Sequence, residues 1–115
     1  MNKGINTIIY PVRDLQSAKT FFSKLLGIEP YTDEDYYVGF KVENQEIGLD
    51  PNGHQQGMTA YYHVDDIQHC KKTLLDAGAV ILQDVTDVGG GRMIASVLDP
   101  TGNIIGLLQE TQEKS

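Results

Sequence analysis

Val97-Leu98-Asp99-Pro100-Thr101-Gly102-Asn103-Ile104-Ile105-Gly106-Leu107-Leu108 is the stretch that decides the fold. Two apolar runs rich in β-branched residues flank a tight polar turn, the pattern of a β-hairpin whose strands are both buried. Pro100 sets φ near the value that the second residue of a turn needs, and Gly102 accepts positive φ without a Cβ clash. Asp99 and Asn103 can bond turn amides through their side chains. The second strand has an echo upstream, because Ile105-Gly106-Leu107 repeats Ile47-Gly48-Leu49.

The echo extends along the chain. Val12-Arg13-Asp14-Leu15 lies over Val64-Asp65-Asp66-Ile67, and Gly27 lies over Gly78. In the first half, Ile5 to Val12 alternates as a strand, with Pro11 near its end where a missing N–H does least harm. Asp14 is an N-cap, and Leu15, Ala18, Phe21, Phe22, Leu25 and Leu26 fall at helical spacing up to the terminating Gly27. A polar link leads to strands over Tyr36–Val42 and Glu46–Asp50, and Pro51-Asn52-Gly53 closes the unit with a turn. The same order starts again with a strand over Thr59–Val64, a cap at Asp66 and a helix presenting Ile67, Cys70, Leu74 and Ala77 up to Gly78. Strands over Ala79–Leu82, Met93–Leu98 and Asn103–Leu108 follow, with an extra loop from Asp84 to Gly91. The expected architecture is α+β: two tandem βαβββ modules, over about 5–53 and 58–109, ahead of a polar tail at 110–115. One face of each sheet is covered by its own helix and the other is bare, so the modules are expected to pair around a cleft.

A chain of 115 residues with 40% hydrophobic and 22% charged residues is one globular domain's worth. No apolar run approaches the roughly 20 residues that a membrane span requires. The beginning of the chain lacks the pattern of a signal peptide, and the single cysteine, Cys70, has no internal partner, so a cytoplasmic location is expected. A net charge of −7 with scattered lysines and arginines disfavours nucleic acid and anionic membrane as partners. A neutral or cationic small molecule suits it better.

The βαβββ repeat, the Val-x-Asp-Leu and Val-x-Asp-Ile strand exits and Asp99-Pro100-Thr101-Gly102-Asn103-Ile104-Ile105 resemble the vicinal oxygen chelate superfamily. That group includes glyoxalase I, extradiol dioxygenases, fosfomycin-resistance enzymes and bleomycin-resistance proteins, and the resemblance runs from Ile5 to Gln109. It implies the glyoxalase/bleomycin-resistance fold, with a cleft between curved mixed sheets. It also implies four metal-ligand positions, which fall here on Thr7, Gly48, Thr59 and Gly106. None is His, Asp or Glu, the side chains that hold divalent cations. No metal and no other cofactor is therefore expected. The metal-free bleomycin-resistance-like branch is the better match, and its members commonly work as homodimers.

Strand alternation then assigns the cleft wall. Thr7, Ile9, Glu46, Gly48, Asp50, Thr59, Tyr61, His63, Ile104, Gly106 and Leu108 share the side away from the helices, and the absent side chains at the two glycines leave room for an organic ligand. His63 is the candidate general base, against the plainer reading of a half-exposed strand-end histidine. Glu46 and Asp50 can attract a cation or be solvated strand-end carboxylates. Tyr36, Tyr37, Tyr61 and Tyr62 can stack on a ligand, although alternation sends about half of them to the core. Gly89-Gly90-Gly91 is a hairpin loop or a flap, with Arg92 at its root able to hold a carboxylate. Cys70 belongs to the core, and His54 and His69 to the surface. The leading expectation is a metal-independent protein that binds a small molecule, an antibiotic or an aromatic or cationic metabolite, and sequesters it. The alternative is a lyase, isomerase or dioxygenase acting on a small carbonyl or aromatic substrate.

Overall fold

The computed structural model describes residues 2–52 and 57–110. In chain order these form β1 (Asn2–Pro11), α1 (Leu15–Leu26), β2 (Thr32–Glu34), β3 (Tyr37–Val42), β4 (Gln45–Asp50), β5 (Thr59–Val64), α2 (Ile67–Asp76), β6 (Val80–Asp87), β7 (Met93–Leu98) and β8 (Ile104–Gln109). The βαβββ order thus occurs twice, in a mixed α+β architecture. The chain divides into two compact units: an N-terminal one over Asn6–Thr59, and a C-terminal one from Ala60 onward that also takes the residues up to Ile5.

An aspartate opens each helix. Asp14 is extended, at φ −120° and ψ 100°, and its carboxylate accepts from the Ser17 amide at 3.1 Å and from Ser17 Oγ at 2.9 Å. These donors hold its pKa below the usual carboxylate range. Asp66 repeats the geometry and accepts from the His69 amide at 3.0 Å. In each case one otherwise orphaned helix donor is satisfied. Gly27, at φ 72°, ends α1 in the left-handed region, and its amide donates to the Ser23 carbonyl at 2.8 Å.

Each helix then lies on one face of its sheet. In the N-terminal unit Val38, Phe40 and Leu49 are buried under Tyr10, Leu15, Ala18, Phe22 and Leu26. In the C-terminal unit Val64, Ile67, Ala95 and Leu107 form the core with Tyr62, Cys70, Leu74 and Met93 packed against it. Burial pushes the Cys70 thiol pKa up. A lysine ties each helix to the strand that follows it, Lys19 to Asp33 at 2.9 Å and Lys71 to Asp84 at 2.9 Å. Lys71 beside Asp84 holds that carboxyl below its ordinary range. This matched pair of ion pairs extends the internal repeat beyond the apolar residues that reveal it.

Both units share one strand order, β2-β3-β4-β1 in one and β6-β7-β8-β5 in the other. Within each unit the pairs are antiparallel except β1 with β4 and β5 with β8. Registers repeat as well: Ile9 stands opposite Gly48 and Pro11 opposite Asp50, just as Tyr61 stands opposite Gly106 and His63 opposite Leu108.

Four local expectations are corrected. The polar link after α1 contains the short strand β2, whose composition hides its pairing with β3. The first half of the loop read over Asp84–Gly91 is strand: β6 continues to Asp87, and its register shifts beside β7 scramble the two-residue alternation that would have announced it. Phe21 and Leu25 are each 64% exposed, because the sheet receives only the stripe through Leu15, Ala18, Phe22 and Leu26. Tyr36 precedes β3 and is exposed. His54 and Gly53 lie outside the described residues.

Candidate functional site

The hairpin turn at Asp99 fixes where the last strand points. The Asp99 amide donates to the Asn103 carbonyl at 2.9 Å, and the Gly102 amide to the Asp99 carbonyl at 2.9 Å, with Gly102 at φ 95°. The Asp99 carboxylate accepts from the side chain of Asn103 at 3.0 Å and from the amides of Asn103 and Thr101 at 2.8 and 2.9 Å. Asn103 first and Thr101 second hold its pKa down at about 2. With that register set, Leu107 enters the core under α2 while Gly106 and its neighbours at alternate positions take the opposite face.

On the N-terminal sheet the face away from α1 carries Thr7 and Ile9 from β1, Tyr37, Gly39 and Lys41 from β3, and Glu46, Gly48 and Asp50 from β4. Thr7 stands opposite Glu46 and donates from Oγ1 to its Oε1 at 3.3 Å. The Tyr31 hydroxyl donates to Glu46 Oε2. Glu46 is only 8% exposed, and its bonds to the Thr7 and Tyr31 hydroxyls fix its position. The Tyr31 amide donates to the Gly39 carbonyl at 2.9 Å, which seats the ring over Gly39, where a Cβ would lie 3.0 Å from ring Cε1. Lys41 Nζ stands 4.8 Å from the centroid of that ring. Asp50 accepts from the Asn52 amide at 2.8 Å.

On the C-terminal sheet the face away from α2 carries Thr59, Tyr61 and His63 from β5, and Ile104, Gly106 and Leu108 from β8. Leu108 is buried, and Ser96 of β7, opposite Gly106, is 6% exposed. Arg92 holds a carboxylate of its own chain, with Nη2 3.2 Å from Glu110 Oε2. Gly89, Gly90 and Gly91 all have positive φ and make a short hairpin connection, closed by the Val88 amide donating to the Arg92 carbonyl at 2.8 Å.

The two glycines do not leave empty room, and this corrects the sequence reading. A Cβ at Gly48 would overlap the Tyr37 hydroxyl and come within 2.6 Å of Ile9 Cδ1. A Cβ at Gly106 would lie 2.6 to 2.9 Å from Tyr61 Cδ1, Cγ and Cε1. Each glycine is the slot that a tyrosine side chain fills. A divalent cation finds no nitrogen or carboxylate at Thr7, Gly48, Thr59 or Gly106, and Thr7 is engaged with Glu46. Among the described residues no three His, Cys, Asp or Glu side chains come together in a group that could hold a metal ion. The residues present do not fit the metal that the resemblance implies.

Of the four tyrosines named from the sequence, Tyr37 and Tyr61 reach the helix-free faces, while Tyr62 packs against the core. Lys41 was legible by applying to β3 the alternation applied to β4. Tyr31 was not, because it precedes a strand that polarity conceals.

The architecture is a βαβββ repeat in which each unit has one helix-covered face and one helix-free face. The sequence matches the model of the Glyoxalase/Bleomycin resistance protein/Dioxygenase superfamily over residues 4–107, and the chain belongs to that superfamily. No curated protein sequence matches it. Among solved structures it is similar to hypothetical protein BH1468 from Bacillus halodurans C-125, at TM-score 0.80 and 13% identity, covering 99% of this chain and 98% of that one. Methylmalonyl-CoA epimerase from Mycobacterium tuberculosis matches at TM-score 0.74 and 16% identity over 96% and 90% of the two chains. The Mn(II)-bound glyoxalase from Novosphingobium aromaticivorans matches at TM-score 0.72 and 16% identity, covering this whole chain and 44% of that one. At such identities the likeness is one of fold, and function rests on the site.

Proposed function

We propose that the protein binds a small organic molecule, aromatic or cationic in character, without a metal, after the manner of the bleomycin-resistance-like branch of its superfamily. The observation that carries this reading is the occupation of the superfamily's carboxylate positions by Gly48 and Gly106, each overlain by a tyrosine ring. Aromatic surface and a buried carboxylate thus stand where a metal enzyme carries its ligands. The acidic balance of the chain favours a cationic ligand over an anionic one. No helix among the described residues is long and apolar enough to cross a membrane. The proposal includes a cytoplasmic homodimer, on the strength of the family resemblance, and sedimentation velocity tests the dimer.

A thermal-shift panel of cationic aromatic compounds and antibiotics, run with and without a chelator, tests the reading. A ligand at about 100 times its dissociation constant stabilises by about 2.7 kcal/mol, enough for a clear shift. The expected result is a shift that the chelator does not change. Stoichiometric transition metal in the purified protein, or no shift across the panel, would overturn the reading.

A second reading is an isomerase or lyase working on a small carbonyl compound, and Glu46 is the observation that favours it. A carboxylate placed by hydroxyls on a helix-free face is a suitable proton acceptor, and His63 on β5 is the candidate base of the other unit's helix-free face. Solvent deuterium exchange into α-protons of carbonyl substrates, abolished in Glu46→Gln or His63→Gln, is its test.

A further inference from the structure

Lys41 stands directly opposite Glu46 in the β3–β4 register, the arrangement in which a cross-strand ion pair would be the ordinary outcome. Its ammonium instead rests over the Tyr31 ring, 4.8 Å from the centroid, and among the described residues it has no carboxylate partner. The same Tyr31 donates its hydroxyl to Glu46. An electron-rich ring face, with a buried carboxyl group bonded to its hydroxyl, is thus already holding a cation supplied by the chain.

We infer that the Tyr31 ring beside Glu46 is the seat for the positive group of an organic ammonium ligand, and that the Lys41 ammonium occupies this seat until the ligand displaces it. This deepens the proposed binding function and rests on it. Three features support the exchange. Lys41 is exposed, and a cation over an exposed ring is weakly held, so it leaves easily. A primary ammonium is compact and strongly hydrated, so it returns to water at little cost. A quaternary ammonium spreads its charge over methyl groups, loses less on leaving water and gains more from an aromatic face. The ring is positioned for the task by its backbone bond to Gly39, where any larger residue would push it away: a Cβ there would lie 3.0 to 3.2 Å from Tyr31 Cε1 and Cζ. The Glu46 carboxyl lies at the hydroxyl end of the ring, and its bonds to Thr7 and Tyr31 keep it from swinging out to solvent.

Amide chemical shifts of the full chain, titrated with benzyltrimethylammonium chloride against sodium chloride and benzyl alcohol, test the inference. The ammonium is expected to move the resonances of Tyr31, Gly39, Lys41 and Glu46. Lys41→Met removes the internal competitor and should tighten ammonium binding about two- to fivefold, the worth of one exposed cation–ring contact, while leaving benzyl alcohol unaffected. Tyr31→Leu and Glu46→Gln should each weaken ammonium binding, with a thermal melt confirming that each variant is folded. If either fails to fold, Lys41→Met decides alone. Unchanged or weaker affinity in Lys41→Met, shifts confined to other residues, or no binding of the ammonium overturns the inference. Ammonium binding elsewhere leaves the broader proposal standing, whereas failure of every compound in the thermal-shift panel removes both.

Discussion

The two units share strand order, helix caps, helix-to-strand lysine bridges and a central glycine, yet their helix-free faces are opposites. In the N-terminal unit the last strand carries the charged groups, Glu46 and Asp50 around Gly48, and the first strand facing it supplies Thr7, Ile9 and Pro11. In the C-terminal unit the last strand supplies Ile104 and Leu108 around Gly106, and the polar groups Tyr61 and His63 lie on the first strand. Even the ring over the glycine changes source, from Tyr37 of β3 to Tyr61 of β5. What the copies keep is what folds them, the apolar layer beneath each helix. What they exchange is the polar and apolar character of the helix-free strands.

The largest effects should therefore come from the shared layer, and should be alike in both units. Phe40 is completely buried and Leu107 is 1% exposed, each at the centre of its unit's helix-facing core. Phe40→Ala should cost about 3–5 kcal/mol and Leu107→Ala about 2–5 kcal/mol in urea unfolding. A loss below about 1 kcal/mol at either site would break the claim that the helix-facing layer is the common structural element.

The two glycines should respond unequally. At Gly106 an added methyl meets Cγ and Cδ1 of Tyr61, atoms near the root of a ring that cannot withdraw without leaving its slot. At Gly48 it meets the hydroxyl end of Tyr37 and the terminal methyl of Ile9, both far ends of side chains that can turn aside. Overpacking costs about 1–3 kcal/mol, so Gly106→Ala belongs at the top of that range and Gly48→Ala at the bottom. Equal losses would show that ring mobility does not distinguish the two slots.

This contrast marks what the sequence made legible. Caps, apolar helix positions and the Ile-Gly-Leu echo are local or periodic signals, and they announced the repeat, both helices and every strand except β2. Tyr31 and the ring contacts over Gly48 and Gly106 were hidden because they join residues from different strands, and no spacing along the chain encodes which ring lies across which glycine. Phe21 and Leu25 misled for a related reason: a helical stripe says which residues can face a sheet, and only the sheet's position says which of them do.

The hairpin turns sharpen the comparison through acid. Asp99 gathers the donors of its turn and titrates at about 2, below its ordinary 3.8, whereas the N-terminal hairpin turns through Glu43 and Asn44. A carboxylate with a depressed folded-state pKa contributes stability that is complete above its unfolded value and is lost as pH falls through the folded one. The stability difference between the parent and Asp99→Ala should thus be constant at neutral pH, shrink below about pH 4 and be smallest near pH 2. A difference that persists undiminished at pH 2 would mean that the turn is held by its backbone alone.

The smallest effect should come from the other turn, and with the opposite sign. Glu43 is the one described non-glycine residue with positive φ, at 56°, and it is the first residue of a two-residue loop between Val42 and Gln45. Positive φ at that first position is the mark of a type II′ hairpin turn, where glycine is preferred because a Cβ crowds the backbone. The left-handed conformation costs a side-chain-bearing residue roughly 1–2 kcal/mol, and the extra freedom of glycine in the unfolded chain takes back part of the gain. Glu43→Gly should accordingly raise stability by a few tenths to about 1 kcal/mol, read as a higher urea midpoint at unchanged slope. The corresponding turn of the C-terminal unit already has glycine at its positive-φ position, Gly102 at 95°, so that stabilisation is available in only one of the two units. A lower midpoint in Glu43→Gly would show that the glutamate side chain contributes something in the folded state that outweighs its backbone strain.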